Sequence, residues 1–405
     1  MMHRLRQLSL TGLVVFTALI LAFGIAMLYS TTAGAVGESI IKRQVIWIIM
    51  GLAGGVAVNI VGYKRLGRYS PWLLLALALP LFYLASLFVA SKLGVPNELL
   101  AKFPFTGSGA QRGSFRWLRF GSIGIQPSEF TKVALILFIG HYYSTNPRFI
   151  DSFKRGLLIP MGIVGFVIGL ILLGGSLSLT AITAMMVLGM LFLVGLRLRW
   201  FLIFIAIGLG LLLAITYVSP ERLERLTSYQ YPELQAKGAG YQLWHAQLAL
   251  GSGGLEGAGF NNSHMKQYGM PEAHTDFIMA IAGEELGFIG LCLVMLAYLC
   301  LMASALGISI TAGSREGMFV GFGLGMSLGL HGFANLGVTS GFLPTTGVVA
   351  PLVSYGGSGM IATWIALGIL ISIARDAERE NLETGQADPE PESDRPVLVR
   401  YPSKA

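Results

Sequence analysis

Residues 272–290 read EAHTDFIMAIAGEELGFIG, and Asp276, Glu284 and Glu285 interrupt a stretch otherwise apolar enough for lipid. Acids at membrane depth are costly and face a protein interior or a water-filled cavity when they occur, so each is a candidate functional group. Asp276 stands where a helix would begin, and the positive end of the helix dipole favours an anion there. It could simply cap that helix. Thr275 can cap instead, which leaves the Asp276 carboxylate for chemistry, and partial burial would make it a better general base. Glu284 and Glu285 come deeper, about 12 Å along a helix, and read as interior partners.

A second constellation is GSIGIQPSEFTK. Gln126 precedes Pro127, which suits a first helical turn, and Glu129 favours the positive end of the dipole. Neither rule explains Lys132, three positions further on the same face and inside an apolar run. The pair either ties helices together or positions a substrate phosphate, and on the residues alone the structural role carries more weight. In RGSFRWLRFG, Trp117 stands among Arg112, Arg116 and Arg119. That cluster is either an interfacial anchor or a site for the phosphates of a lipid-linked ligand.

Two stretches imitate known signals. GSGGLEGAGF, 251–260, resembles a phosphate cradle but lacks the Lys-Ser/Thr of a P-loop and follows no strand pattern. LPTTG, 343–347, followed by an apolar run and Arg375, imitates a cell-wall sorting signal; with several spans upstream and an acidic tail beyond, it reads as a Pro/Gly-broken outer loop between helices.

The elements that must position these groups follow from composition. Of 405 residues, 54% are hydrophobic and 12% charged, about half the charge usual in a soluble domain. A spanning helix needs about 20 mainly apolar residues. About ten such segments begin near Leu10, Gln44, Pro71, Pro127, Leu157, Leu179, Trp200, Asp276, Met318 and Ser354. Long Leu/Ile/Ala/Gly runs without alternation predict helices instead of a barrel, so the fold class is an all-α polytopic membrane protein.

Basic residues in short loops, namely Lys64, Arg65 and Arg68, then Lys154 and Arg155, then Arg197 and Arg199, mark the cytoplasmic side. The net charge of +7 is accounted for by these loops, and no nucleic-acid role is expected. Both termini are then cytoplasmic. His3, Arg4 and Arg6 before an apolar run and Ala33-Gly34-Ala35 imitate a signal peptide, but the run is too long for one and reads as an uncleaved first helix. Cys292 and Cys300 lie too far apart on one helix to form a disulfide. The membrane domain is expected over 1–377, with long outer loops at about 91–126 and 219–275, and a disordered cytoplasmic tail over 378–405. Loops of that length are expected to carry function.

FRWLRFGSIGIQPSEFTK, then ERLERLTSY with GYQLWHAQLALGSGGLEGAGFNNSHMKQYGMPEAHTDFIMAIAGEELGFIG, then NLGVTSGFLPTTGVVAPLVSYGGSGM occur in that order. These segments resemble the shape, elongation, division and sporulation (SEDS) family. The resemblance implies ten helices with both ends cytoplasmic, and a peptidoglycan glycosyltransferase that polymerises lipid II into β-1,4 glycan strands at the outer face of the cytoplasmic membrane. The family's essential aspartate falls on Asp276, its outer-loop tryptophan on Trp117, and its fourth-helix glutamate and lysine on Glu129 and Lys132, which strengthens a functional role for that pair.

By this resemblance Asp276 is the general base and undecaprenyl diphosphate the leaving group. Arg116, Lys132 and Lys266 are candidates to stabilise the developing charge. Gln126, His274 and Thr275 join them as substrate-binding residues, while Ser354 is grouped with Glu284 and Glu285 in the interior. PEAHTDF, GEELG and the GYQ…GSGG…N loop favour the division branch over the elongation branch, although LPTTG lacks a lysine common in division members. Expected partners are lipid II, a monofunctional penicillin-binding transpeptidase and divisome proteins. No cofactor is evident; a divalent cation is possible, though no acidic pair in the outer loops is spaced for one.

The chain departs from the family at three places: GGSLSLTAIT retains only Thr180 of a Pro-Asp-Leu/Phe-Gly-Thr element, Gly113 to Phe115 are inserted before Arg116, and His245-Ala246 replaces Gln-Ser. The rival functions are a lipid II flippase and a scaffold. A flippase would use helices broken at Gly and Pro, such as 343–359, but transporter sites lie near the midplane and these polar groups converge on the outer face.

Overall fold

The computed structural model describes residues 1–32, 35–106, 115–121, 123–218, 228–238, 240–266, 270, 273–344 and 347–383. Arg112, the inserted Gly113 and Ser114, the Ala33-Gly34 pair, Thr345 and Thr346 of LPTTG, residues 219–227 of the second outer loop and the tail from 384 onward lie outside the described residues.

Apolar runs separated by polar turns form long helices. In chain order these are α1 (Met2–Thr31), α2 (Ala35–Val61), α3 (Tyr63–Lys92), α4 (Pro127–Thr145), α5 (Phe153–Leu173), α6 (Leu177–Val194), α7 (Leu198–Val218), α8 (Tyr241–Gly253), α9 (Ile278–Ile310), α10 (Arg315–Thr339) and α11 (Gly357–Glu383). Among the described residues, eight of them are long and apolar enough to cross a membrane: all but α4, α7 and α8. The helices α4 and α7 occupy the places expected for the fourth and seventh spans. The chain is thus an all-α polytopic membrane protein. Cys292 and Cys300 both lie on α9 and are free thiols.

The first three helices begin eight or nine residues before the hydrophobic windows do, because turns of polar sequence continue the backbone ladder. α10 opens at Ser314, whose Oγ accepts from Gly317 N at 3.1 Å, satisfying one of the donors a helix start leaves bare. α11 runs on to Glu383, past the boundary expected at 378. Its last turns are good helix formers, and Glu380 is held by Lys64 at 2.7 Å.

The core centres on α9 and α10. α9 packs on α1, α8 and α10; α10 packs on α4 and α6; α11 lies along α2, and α3 along α4 and α5. One end of the bundle is tied by polar contacts: Tyr63 Oη to Ser314 Oγ at 2.8 Å and His141 Nδ1 to Glu316 Oε1 at 3.0 Å.

The opposite end departs most from expectation. The first outer loop holds a turn of helix at Asn97–Leu100 and an antiparallel hairpin, β1 (Leu118–Phe120) with β2 (Ile123–Ile125), in the register Leu118↔Ile125. Branched and aromatic residues flanking Gly121 explain these strands, which the all-helical reading did not foresee. The second outer loop contains α8, with Leu243, Ala246 and Ala249 buried on the bundle. The segment after LPTTG is no surface connector: Ala350, Leu352 and Val353 are all at most 2% exposed.

Candidate active site at the mouth of α9

α9 does not start at Asp276. It opens at Ile278 after Phe277, whose own side chain offers no cap. Asp276 and Thr275 do not occupy the cap position; residues 273–277 form a turn before the helix. Asn335 and Tyr355 help hold that turn. Asn335 Nδ2, on α10, donates to Asp276 O at 2.9 Å and to Val348 O at 2.5 Å. Tyr355 N donates to His274 O at 2.9 Å, and the His274 and Tyr355 rings lie 5.7 Å apart. Asp276 and Thr275 are half-buried. The Asp276 carboxylate lies over Gly347, where a β-carbon would come within 3.0 Å of Oδ2. Gly347 also has φ +58°, so this backbone suits a residue without a side chain.

From Gly347 the chain runs inward as a non-helical segment to Gly356. Leu352 within it takes φ +66°, a left-handed conformation costing about 1–2 kcal/mol for an L-residue, and such strain concentrates at functional sites. The segment lines a cavity together with Glu129, Lys132 and His331. Lys132 Nζ donates to Glu129 Oε2 at 2.7 Å, with side chains 9% and 5% exposed. Nζ also lies 3.3 Å from His331 Nε2. An ammonium only donates, so Nε2 accepts, and the imidazole proton belongs on Nδ1, which donates to Ser327 O at 2.8 Å. One inward segment therefore forms both the floor under Asp276 and a wall of the Glu129–Lys132 cavity.

Lys266, Glu284 and Glu285 gather in a different cluster. Glu284 accepts from Ser263 Oγ, His264 N and Met265 N at 2.5, 2.8 and 3.3 Å. Glu285 accepts from Ser30 Oγ at 2.5 Å, Asn261 N at 3.0 Å, Ser263 N at 3.3 Å and Lys266 Nζ at 3.2 Å. Lys266 Nζ further donates to Asn261 O and Oδ1, both at 2.7 Å. The two buried acids clamp the 261–266 loop and the end of α1 onto α9. The ammonium of Lys266 serves the same clamp.

Beside the clamp α9 is broken at Gly287, with φ +66° and ψ −170°, a region open essentially to glycine alone. The glycine-rich 254–259 stretch supplies the lost helix bonds. Phe288 N and Ile289 N donate to Gly254 O and Leu255 O at 2.9 and 3.2 Å, and Ala258 N and Gly259 N donate to Glu284 O and Glu285 O at 2.9 and 3.0 Å. GSGGLEGAGF is thus a backbone splint within a membrane helix, which accounts for its glycines without a phosphate.

The remaining expected residues lie along the α4 side. Arg116 donates to Gly175 O at 2.5 Å, anchoring the first outer loop to the α5–α6 turn. Trp117 is 37% exposed and its ring lies against Gly124 of β2. Gln126 N donates to Ser358 Oγ at 2.9 Å. Ser354 is buried, its Oγ accepting from Ala350 N at 2.9 Å and its carbonyl from Gln44 Nε2 at 3.3 Å. At the departures from the family, Thr180 Oγ1 donates to Ser176 O at 2.6 Å and the His245 ring stacks 4.0 Å from Tyr241. Among the described residues no group of three His, Cys, Asp or Glu side chains gathers as a metal would require.

His331 and Asn335 were not among the expected site residues. Their signal was present: two polar side chains one turn apart inside an apolar helix, where polar groups are rare.

The family profile described as "Cell cycle protein", which covers FtsW, RodA and SpoVE, matches residues 6–379. A probable peptidoglycan glycosyltransferase FtsW of Geobacter metallireducens is 31% identical over 362 residues, 87% of this chain and 91% of that protein. Stage V sporulation protein E of Bacillus subtilis is 31% identical over 369 residues, 90% of this chain and 96% of its own. In solved structures, a chain of a peptidoglycan synthase complex coordinating polymerisation and crosslinking shares the fold at TM-score 0.71 and 24% identity, over 90% of this chain and 97% of that one. The rod shape determining protein RodA of Thermus thermophilus does so at TM-score 0.63 and 24% identity, over 90% and 96%. A profile match across almost the whole bundle, with relatives above 30% identity spanning both chains, means that this chain belongs to the FtsW/RodA/SpoVE family of cell cycle proteins, the SEDS family.

Proposed function

We propose that this chain, a peptidoglycan glycosyltransferase by its family, is a division-type lipid II polymerase working at the outer face of the cytoplasmic membrane with Asp276 as general base. The curated FtsW relatives support the division assignment. The observation that carries the mechanism is the half-buried Asp276 on a turn pinned by Asn335, over the same inward segment that lines the Lys132 cavity.

In the reaction the GlcNAc 4-hydroxyl of one lipid II attacks the anomeric carbon of the MurNAc of another. Asp276 takes the hydroxyl proton as the new carbon–oxygen bond forms. The bond from the anomeric carbon to the diphosphate oxygen breaks with its electron pair, and undecaprenyl diphosphate leaves. An α-linked diphosphate becomes a β-1,4 linkage in a single inversion, with no covalent enzyme intermediate. Positive charge fixed beforehand stabilises the departing diphosphate without reorganisation. Of the three candidate cations, Lys132 suits this best: the segment that begins beneath Asp276 at Gly347 continues into the wall of its cavity, whereas Lys266 lies in the separate Glu284–Glu285 cluster. A monofunctional penicillin-binding transpeptidase is the natural partner, as polymerisation and crosslinking are coordinated in the complex whose chain shares this fold.

The test uses purified protein, with and without a cognate transpeptidase, and resolves polymer from lipid II on gels. Asp276→Asn keeps the shape and removes the base; polymer should fall by about a hundredfold or more with unfolding unchanged. Full activity in that variant would refute Asp276 as base. In vesicles with labelled lipid II, polymer without accelerated flipping is expected; flipping without polymer would favour a transporter.

A further inference from the structure

Asn335 is fully buried in α10, one helical turn beyond His331, and nothing in the reaction as drawn above uses it. Its Nδ2 meets two carbonyl oxygens from two different parts of the chain, Asp276 O at 2.9 Å and Val348 O at 2.5 Å. Two acceptors on one atom fix which way the amide faces, because the opposite orientation would set oxygen against oxygen. Its Oδ1 is buried without a hydrogen-bond partner among the described residues. Leaving an acceptor so placed costs about as much as the two bonds return. The residue therefore contributes little net stability, and what it supplies is a geometry.

That geometry is the gap between the Asp276 turn and the Gly347–Val348 backbone. Asp276 Oδ2 lies 3.0 Å from the place a β-carbon at Gly347 would take, so the carboxylate sits against the backbone that Asn335 holds through the next residue. One side-chain amide thus bridges the turn bearing the carboxylate and the segment beneath it. A second tie, Tyr355 N to His274 O at 2.9 Å, joins the same two elements further along, while Asn335 acts at Asp276 itself.

We propose that Asn335 is the positioning residue of Asp276: its carboxamide sets the height of the carboxylate over Gly347 and so aims it at the acceptor hydroxyl. The proposal rests on Asp276 acting as the base. A misplacement of about 1 Å can cost about a hundredfold in rate without touching substrate affinity, and that sets the expected effect.

The experiment measures initial polymerisation rates against lipid II concentration for wild type, Asn335→Leu, Asn335→Ala, Asn335→Asp and Asp276→Asn. Rates are normalised to protein that binds lipid II, so that unfolded material does not count. Asn335→Leu should lower kcat by about a hundredfold with KM within about twofold. Asn335→Asp, which sets a carboxylate oxygen against the two carbonyls, should fall at least as far. If leucine overpacks the site, Asn335→Ala is read in its place. A kcat within about threefold of wild type, or a loss carried by KM, overturns the positioning role, and so does failure of every variant to fold, which would make the residue structural. An active Asp276→Asn instead brings down the base assignment, whatever Asn335 does.

Discussion

The Glu129–Lys132 pair is where structural and functional roles separate most sharply under mutation. Both side chains are under 10% exposed and 2.7 Å apart. Removing one partner of a buried pair strands a charge and costs about 3–5 kcal/mol, so Lys132→Ala should destabilise by that amount. Removing both charges in Glu129→Gln with Lys132→Met leaves no stranded ion, and such replacements are often neutral. Here the double variant still deprives His331 Nε2 of its donor at 3.3 Å, an unsatisfied buried acceptor worth about 1–3 kcal/mol. Lys132→Ala makes the same loss at His331, so that contribution cancels and the double variant should exceed the single in stability by the stranded-charge cost, about 3–5 kcal/mol. Equilibrium unfolding in mixed detergent reads the stability, and the lipid II gel assay reads activity on the same samples. If the Lys132 ammonium faces the developing diphosphate charge, the stability-restored double variant stays about 10²–10³-fold slow. A single-variant loss below about 1 kcal/mol would refute the buried-pair reasoning. Full polymerisation by the double variant would leave the pair a purely structural tie.

Two further outcomes test the splint and clamp on α9. Glu284→Ala unpairs Ser263 Oγ, His264 N and Met265 N together; with charge-assisted bonds at about 1.5–3 kcal/mol each, the 258–266 loop should detach and become the first site of limited proteolysis, and an unaltered cleavage pattern would count against the clamp. Gly287→Ala places a β-carbon 2.4 Å from Leu255 O at φ +66°, so folded yield in membranes should drop sharply, by at least about 3 kcal/mol of stability, while an equally stable variant would mean that the break in α9 is not required.

Much of this was legible in the residues because lipid leaves few choices. Apolar length and basic loops give the helices, and membrane burial of Asp276, Glu284 and Glu285 singles them out before any fold is known. The depth of Glu284 and Glu285 within α9 was readable from helical spacing, but the turn that carries Asp276 off the helix was not. Contacts closed across long sequence separations were not readable. Lys266 and Glu285 are 19 positions apart, Ser30 and Glu285 are 255, and Asp276 and Asn335 are 59; no periodicity encodes such pairings. The hairpin at Leu118–Ile125 escaped for a different reason, as three-residue strands fall below any pattern that alternation can establish.

A membrane helix with the proposed base on the turn before it faces a physical problem, and α9 resolves it by being broken. Hydrocarbon offers a helix no directional contacts, so a continuous α9 would take its height and rotation from side-chain packing alone. The break at Gly287 lets the 254–259 backbone bond directly to the helix on both sides, and backbone bonds in low dielectric are strong and directional. Glu284 and Glu285, adjoining the break, add charge-assisted bonds to the end of α1 and to the 261–266 loop. The outer turns of α9 are thereby fixed to α1 and α8, while the part beyond Gly287 presents Phe288, Ile289 and Leu293 outward, all more than half exposed. Two buried acids and a glycine hinge of this kind give up helix continuity for position. The benefit falls on the turn just above, where Asp276 has no helix ladder of its own and depends on α9 below it, Asn335 beside it and Gly347 beneath its carboxylate.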